Sequence, residues 1–168
     1  MGERLTKSDI EKIEKEIEER KLVKRPELID AVKEARAQGD LSENFEYYAA
    51  KREKNLNESR IRYLERMLKF ATIVEDKESA DDEAALNKTV TVYFPDDDET
   101  ETFRIVTSIR GNSLKGLISI DSPMGKALLH RRVGDTVYVK VNEHAGYNVV
   151  IKEIGEVLDD TDDAIRQY

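Results

Sequence analysis

The sequence predicts an α+β protein: an antiparallel α-helical coiled-coil hairpin, then a smaller antiparallel β-sheet domain with one short helix. Three observations predict it. Residues 7–70 contain one glycine and one proline and are rich in Glu, Lys, Arg, Ala and Leu, all good helix formers. Beyond residue 88 the pattern changes to five short β-like runs separated by turn residues. The charge changes with it: residues 1–77 hold 18 basic and 18 acidic side chains, whereas residues 78–168 hold 10 and 18.

The first helix starts near Thr6 or Ser8, either of which can cap it. Ile10, Ile13 and Ile17 form a narrow apolar seam of the two-per-heptad kind. Arg25-Pro26 interrupts it, because proline removes a backbone donor and disfavours α geometry at the residue before it. The stripe resumes with Leu28 or Ile29, Val32 and Ala35, so a kink or register shift is expected there rather than an end. After Gly39 a second stripe runs through Phe45, Ala49, Leu56, Tyr63 or Leu64, and Met67 or Leu68. At 1.5 Å per residue, about 30 residues make an arm roughly 45 Å long. Between the helices stands Gly39-Asp40-Leu41-Ser42-Glu43-Asn44. Locally it reads as a helix stop and a capping box, with Asp40 as cap and Glu43 three residues on. It equally presents two carboxylates at the end of an arm, able to ligate a hard cation or steer a water. Two carboxylates cannot complete a Mg²⁺ octahedron, so another molecule would have to supply the remaining oxygens. Lys33, Arg36, Lys51, Arg52 and Lys54 flank this turn. They suit either a solvated helix face or a local positive patch near a polyphosphate.

The expected strands are Thr89–Phe94, Thr102–Ile109, Gly116–Ile120, Thr136–Val141 and Tyr147–Ile154. Ser122 as cap and Pro123 at the first position start the short helix, through Leu129. Asp96-Asp97-Asp98-Glu99 lacks the spaced ligands and glycine of an EF-hand and reads as a hairpin turn. The expected boundaries are a coiled-coil domain over 1–76, a linker over 77–84, a sheet domain over 85–156, and a frayed acidic tail over 157–168.

Composition removes several classes of function. The 168 residues include no cysteine and two histidines, His130 and His144, which leaves no disulfide scaffold, no thiolate metal site and little basis for an imidazole-rich one. No apolar run approaches the ~18 residues of a membrane span and no signal-peptide pattern opens the chain, so a cytoplasmic protein with no membrane partner is expected. A net charge of −8 argues against strong independent binding of duplex DNA, since phosphate contact needs positive charge.

Glu34-Ala35-Arg36-Ala37-Gln38-Gly39-Asp40-Leu41-Ser42-Glu43-Asn44, followed by Glu46-Tyr47 and Ala49-Ala50-Lys51, resembles the tip signature of the bacterial Gre transcript-cleavage factors, a family of transcription elongation factors. Arg25-Pro26 and Ser59-Arg60-Ile61 are similar to the family's two helices. Ser122-Pro123-Met124-Gly125-Lys126-Ala127-Leu128-Leu129 and Val133-Gly134-Asp135 are similar to its carboxyl-terminal motif. The resemblance covers nearly the whole chain.

It implies a carboxyl-terminal fold like that of FK506-binding proteins. It also implies a partner, RNA polymerase, whose secondary channel receives the coiled coil. Asp40 and Glu43 would there help hold a second Mg²⁺ of the polymerase, with no cofactor of the protein's own. The protein would be an accessory factor activating the polymerase's hydrolysis of backtracked RNA, not a nuclease. Arg36, Lys51 and Arg52 would lie near the nascent RNA 3′ end. Gly39, Ser42, Asn44 and Tyr47 would shape the tip, and Asp121, Ser122 and Pro123 would dock on the polymerase. Phe45 and Tyr48 stand where the family commonly has alanine and histidine. They motivate an alternative, a channel-occupying regulator that inhibits without cleavage. Prolyl isomerase activity is not expected, because four phenylalanines and no tryptophan leave an aromatic-lined proline pocket hard to assemble.

Overall fold

The computed structural model describes residues 2–39, 44–75 and 78–167. The chain divides into two compact units, Met1–Glu3 with Ile10–Thr72, and Arg4–Asp9 with Ile73–Tyr168. Two-residue strands β1 (Arg4–Leu5) and β2 (Thr72–Ile73) lie where the chain passes between them. The Thr72 N–H donates to the Glu3 carbonyl in the first unit, and the Val74 N–H to the Leu5 carbonyl in the second.

The first unit is the expected helical hairpin. One arm is α1 (Lys7–Glu19), a π-helical turn (Arg20–Lys24) and α2 (Arg25–Arg36); the other is α3 (Phe45–Phe70). The proline explains the π turn. In an unbroken α-helix its ring would collide with the carbonyl four residues back and one donor would be missing. The wider turn shifts the ladder, so that the Arg25 N–H reaches the Arg20 carbonyl five residues back and Pro26 enters in the first turn of α2. The expected register shift is therefore present, and it occupies the five residues before Arg25. Asn57 of α3 fastens it from across the hairpin, donating to the Arg20 carbonyl and accepting from the Arg20 guanidinium at 2.9 Å.

The buried seam of α3 matches the expected stripe at Leu64 and Met67 and departs from it in the first three turns. Tyr47, Asn57, Arg60, Ile61, Leu64 and Met67 are buried, whereas Phe45, Leu56 and Tyr63 are exposed. The apolar pattern misleads because polar side chains with partners across the hairpin claim the inner face. Arg60 donates to the Glu16 carboxylate at 2.8 Å, and the same carboxylate takes Arg20. Arg25 forks onto both oxygens of Glu58 at 2.7 and 2.8 Å. Charge-assisted pairs of this kind fix register as well as contributing energy: Glu16 to Arg60 and Arg20 to Asn57 follow the antiparallel order, and Arg25 reaches back to Glu58.

The second unit contains a five-stranded sheet in the order β5-β4-β3-β7-β6. Its strands are β3 (Lys88–Phe94), β4 (Glu99–Val106), β5 (Leu117–Ser119), β6 (Thr136–Lys140) and β7 (Gly146–Val157), and α4 (Pro123–Leu128) lies between β5 and β6. The expectation of an all-antiparallel sheet needs one correction. β5 pairs parallel with β4, Ile105 opposite Ile118 and Val106 opposite Ser119. Two short 3-10 turns, Ser108–Arg110 and Ser113–Lys115, carry the chain back so that it runs alongside β4 in the same direction. Alternate residues Val90, Val92, Val137, Val139, Val149 and Ile151 point into one core with Ile105, Ile120 and Leu128. An aromatic groove forms despite the low aromatic content: Phe94, Phe103, Met124 and Tyr147 line a concavity of about 330 Å³ together with Asp97, Glu99 and Glu101.

The two segments expected to be loose are packed. Ala84, in the expected linker, belongs to the core, and Lys88 donates to the carbonyls of Ala80 and Glu83. Lys77 lies outside the described residues. The expected acidic tail does not fray, because its carboxylates meet buried arginines. Arg110, with a fully buried side chain, donates to Asp9 at 2.7 Å, Asn87 at 2.8 Å and Asp163 at 2.9 Å. Arg104 also pairs with Asp163. The Arg166 N–H donates to the Ile109 carbonyl, and Ser8 donates to Asp160. Asp9 closes a capping box with Thr6, which is thus the cap of α1.

Candidate functional site

Two sets of residues marked by the sequence are placed by this fold, one in each unit. The first lies where α2 ends and α3 begins. Gly39 follows α2 with φ +134°, a conformation that favours glycine because a Cβ is strained there. Asp40, Ser42 and Glu43 lie outside the described residues. The cap of α3 is Asn44, not Asp40: its Oδ1 accepts the Tyr47 N–H at 3.0 Å. The helix therefore begins four residues later than the capping-box reading places it. Asn44 also donates through Nδ2 to the Ala35 carbonyl, tying the end of one helix to the start of the other.

Behind this tie sits Tyr47, only 7% exposed. The Arg36 guanidinium lies 5.6 Å from its ring centroid and the Lys51 ammonium 6.0 Å, both within cation–π range. Arg36 also donates to the Tyr47 hydroxyl at 3.3 Å. That hydrogen bond, followed by the charges of Lys51, Arg36 and Lys54, holds the phenol below its ordinary pKa against the opposing effect of burial. The structure thus brings together Arg36, Asn44, Tyr47 and Lys51. Arg52 is not part of this cluster and lines the adjoining outer face of α3 with Tyr48.

The second set is the loop before α4. Ser122 caps the helix, accepting the Gly125 N–H at 3.0 Å, and Pro123 opens it. Asp121 receives the Arg4 guanidinium at 2.5 Å and the Ser108 hydroxyl at 2.7 Å. Burial alone would raise its pKa; the hydrogen bonds from Ser108 and Arg4 outweigh that and lower it. Gly125 is required by close approach, since a Cβ there would stand 1.9 Å from the Ser119 carbonyl oxygen. Ser108, Ser119 and Arg4 hold this loop, and sequence reading missed all three. Ser108 and Ser119 meet through the parallel β4–β5 pairing, which no local pattern announces, and Arg4 comes from β1.

Among the described residues no group of three or more His, Asp or Glu is arranged to hold a metal ion, and no helix is long and apolar enough to cross a membrane.

Comparison with known proteins adds the following. The family profile described as transcription elongation factor, N-terminal, matches residues 3–73, and that described as transcription elongation factor, GreA/GreB, C-terminal, matches residues 78–156. Transcription elongation factor GreA of Streptococcus pneumoniae serotype 19F is 44% identical over 136 residues, covering 81% of this chain and 85% of the relative. That of Geobacillus kaustophilus is 48% identical over 136 residues, covering 81% and 86%. Among solved structures, GreA factor homolog 1 of Thermus thermophilus shares 28% identity over 93% of this chain and 100% of that one, with a TM-score of 0.42.

Proposed function

The chain belongs to the GreA/GreB family of transcription elongation factors, and from that premise we propose that it binds RNA polymerase, enters the secondary channel with its helical hairpin and stimulates cleavage of the 3′ end of backtracked nascent RNA. The observation that carries the reading is the junction of the two helices: Asn44 ties α2 to α3 while Arg36 and Lys51 grip Tyr47. A rigid, positively charged base is what a probe needs if it is to present side chains to a polyanionic strand.

In this proposal Asp40 and Glu43 are the working carboxylates. Hard oxygen ligands suit Mg²⁺, and polymerase would furnish the rest of the coordination shell. The hydrolytic centre belongs to the polymerase, and the factor needs no cofactor of its own. Arg36, Lys51 and Arg52 serve the RNA 3′ segment. Asp121, Ser122 and Pro123 form the proposed docking loop, held in one posture by Ser108 and Arg4. The working compartment is the cytoplasm, where the polymerase is. Grip on DNA comes through the elongation complex, because a chain with net charge −8 has little independent attraction for duplex phosphates.

The test is an Asp40→Asn, Glu43→Gln double variant added to backtracked elongation complexes. Loss of stimulated cleavage with nearly unchanged polymerase binding is expected. Full cleavage by the double variant would discard the assignment.

A further inference from the structure

We propose that the exposed face of α3 beside the tip is a stacking site for unpaired RNA bases, with Phe45 and Tyr48 as platforms and Arg52 and Lys51 as phosphate contacts. The proposal rests on the polymerase reading above and names how the extruded RNA is held.

Phe45 is 84% exposed, Tyr48 51% and Leu56 50%. Three large apolar side chains left in water on the first three turns of one helix need an explanation, since the inner face of α3 is closed by Asn57, Arg60 and their partners. At about 100° per residue, Phe45, Tyr48, Arg52 and Leu56 fall on one strip roughly 80° wide. Glu46 and Glu53 are turned about 100° or more from its centre, and Glu58 is occupied by Arg25. The strip therefore carries two aromatic rings and one cation, Arg52, but no carboxylate, and Lys51, about 100° from its centre, joins it from the flank that lines the groove. Tyr48, Lys51, Arg52, Asn55, Leu56 and Ser59 line a shallow groove of about 340 Å³ along it.

The Tyr48 ring is held before any ligand arrives. It meets Tyr47 edge-on, centroids 5.5 Å apart at 60°, and Tyr47 is pinned by Arg36 and Lys51. Arg52 forms no ion pair with a described residue. Aromatic faces alternating with cations are how single-stranded nucleic acid is bound without regard to sequence, bases stacking and phosphates pairing. The same rings would fit an apolar groove on a protein, but Lys51 and Arg52 in the groove lining, with no carboxylate among the residues that line it, favour a polyanion.

The experiment uses the full-length protein on purified, backtracked elongation complexes whose extruded 3′ nucleotides are either normal or abasic. The wild type is expected to cleave the normal RNA about tenfold faster than the abasic one. Phe45→Ala, Tyr48→Ala is expected to cleave both at the slower rate while binding polymerase as before, and Phe45→Tyr, Tyr48→Trp to restore the difference. Equal wild-type rates on both RNAs would overturn the proposal. So would a double variant that cleaves like wild type, or one whose defect follows lost polymerase affinity, which would mark the strip as a protein contact. If the wild type cleaves neither RNA, the parent reading fails instead. A 2-aminopurine at the extruded 3′ end then decides the stacking site alone: quenching by wild type but not by Phe45→Ala, Tyr48→Ala supports it, and equal signals overturn it.

Discussion

The side-chain amide of Asn44 spans the hairpin to the carbonyl of Ala35, while its oxygen caps α3 at the Tyr47 N–H. One residue thus sets both where the second helix starts and how far it stands from the first. Asn44→Ala removes both bonds and is expected to cost about 1–2 kcal/mol. Asn44→Asp keeps the acceptor and loses the donor, and is expected to cost less. Thermal unfolding followed by circular dichroism checks the order.

Tyr47 supplies a second measurement. The hydrogen bond from Arg36 and the nearby cations hold its phenol below the usual range. The difference between ultraviolet titrations of wild type and Tyr47→Phe is expected to show a tyrosine ionising below about pH 10. Arg36→Ala is expected to move that titration upward. A difference curve centred at the ordinary value would contradict the described contact.

Asp163 makes the stability of the second unit depend on pH. Burial would raise its pKa, but the hydrogen bonds from Arg104 and Arg110 prevail and lower it. The folded state therefore favours the carboxylate more than the unfolded chain does. This stabilisation is complete above the unfolded value of about 3.9 and is lost as pH falls through the lower folded value. Asp163→Asn is expected to cost about 2 kcal/mol at pH 7, and the gap to wild type should close in acid. Urea unfolding at both ends of that range is the check.

Gly125→Ala tests the packing that holds the proposed docking loop. With the Ser119 carbonyl oxygen 1.9 Å from the added carbon, backbone must shift. A loss of about 1–3 kcal/mol is expected, with weaker polymerase binding than a solvent-face change such as Lys126→Ala produces.

Local chemistry in the sequence foretold the hairpin, the register shift near Pro26, the Ser122-Pro123 helix start and the strand runs, because each depends on residues within a few positions of one another. The misreadings share a cause. The α3 seam is partly polar, so hydrophobic spacing pointed at Phe45 and Leu56 and away from Asn57 and Arg60. The tail looked like a solvated acidic run because its partners, Arg104 and Arg110, lie more than 50 residues back. The tip motif was legible only as a resemblance, since the same spacing serves a plain helix cap, and its carboxylates Asp40 and Glu43 lie outside the described residues. The exposed strip of Phe45 and Tyr48 emerged only once their burial was known.

In the proposed function this hairpin promotes hydrolysis inside another enzyme. Its most direct test is to add the wild-type protein to stalled, backtracked RNA polymerase complexes carrying 5′-labelled RNA. The RNA is expected to shorten from its 3′ end many times faster than with polymerase alone, after which the complexes resume elongation. Tight binding to polymerase with RNA of unchanged length would contradict it.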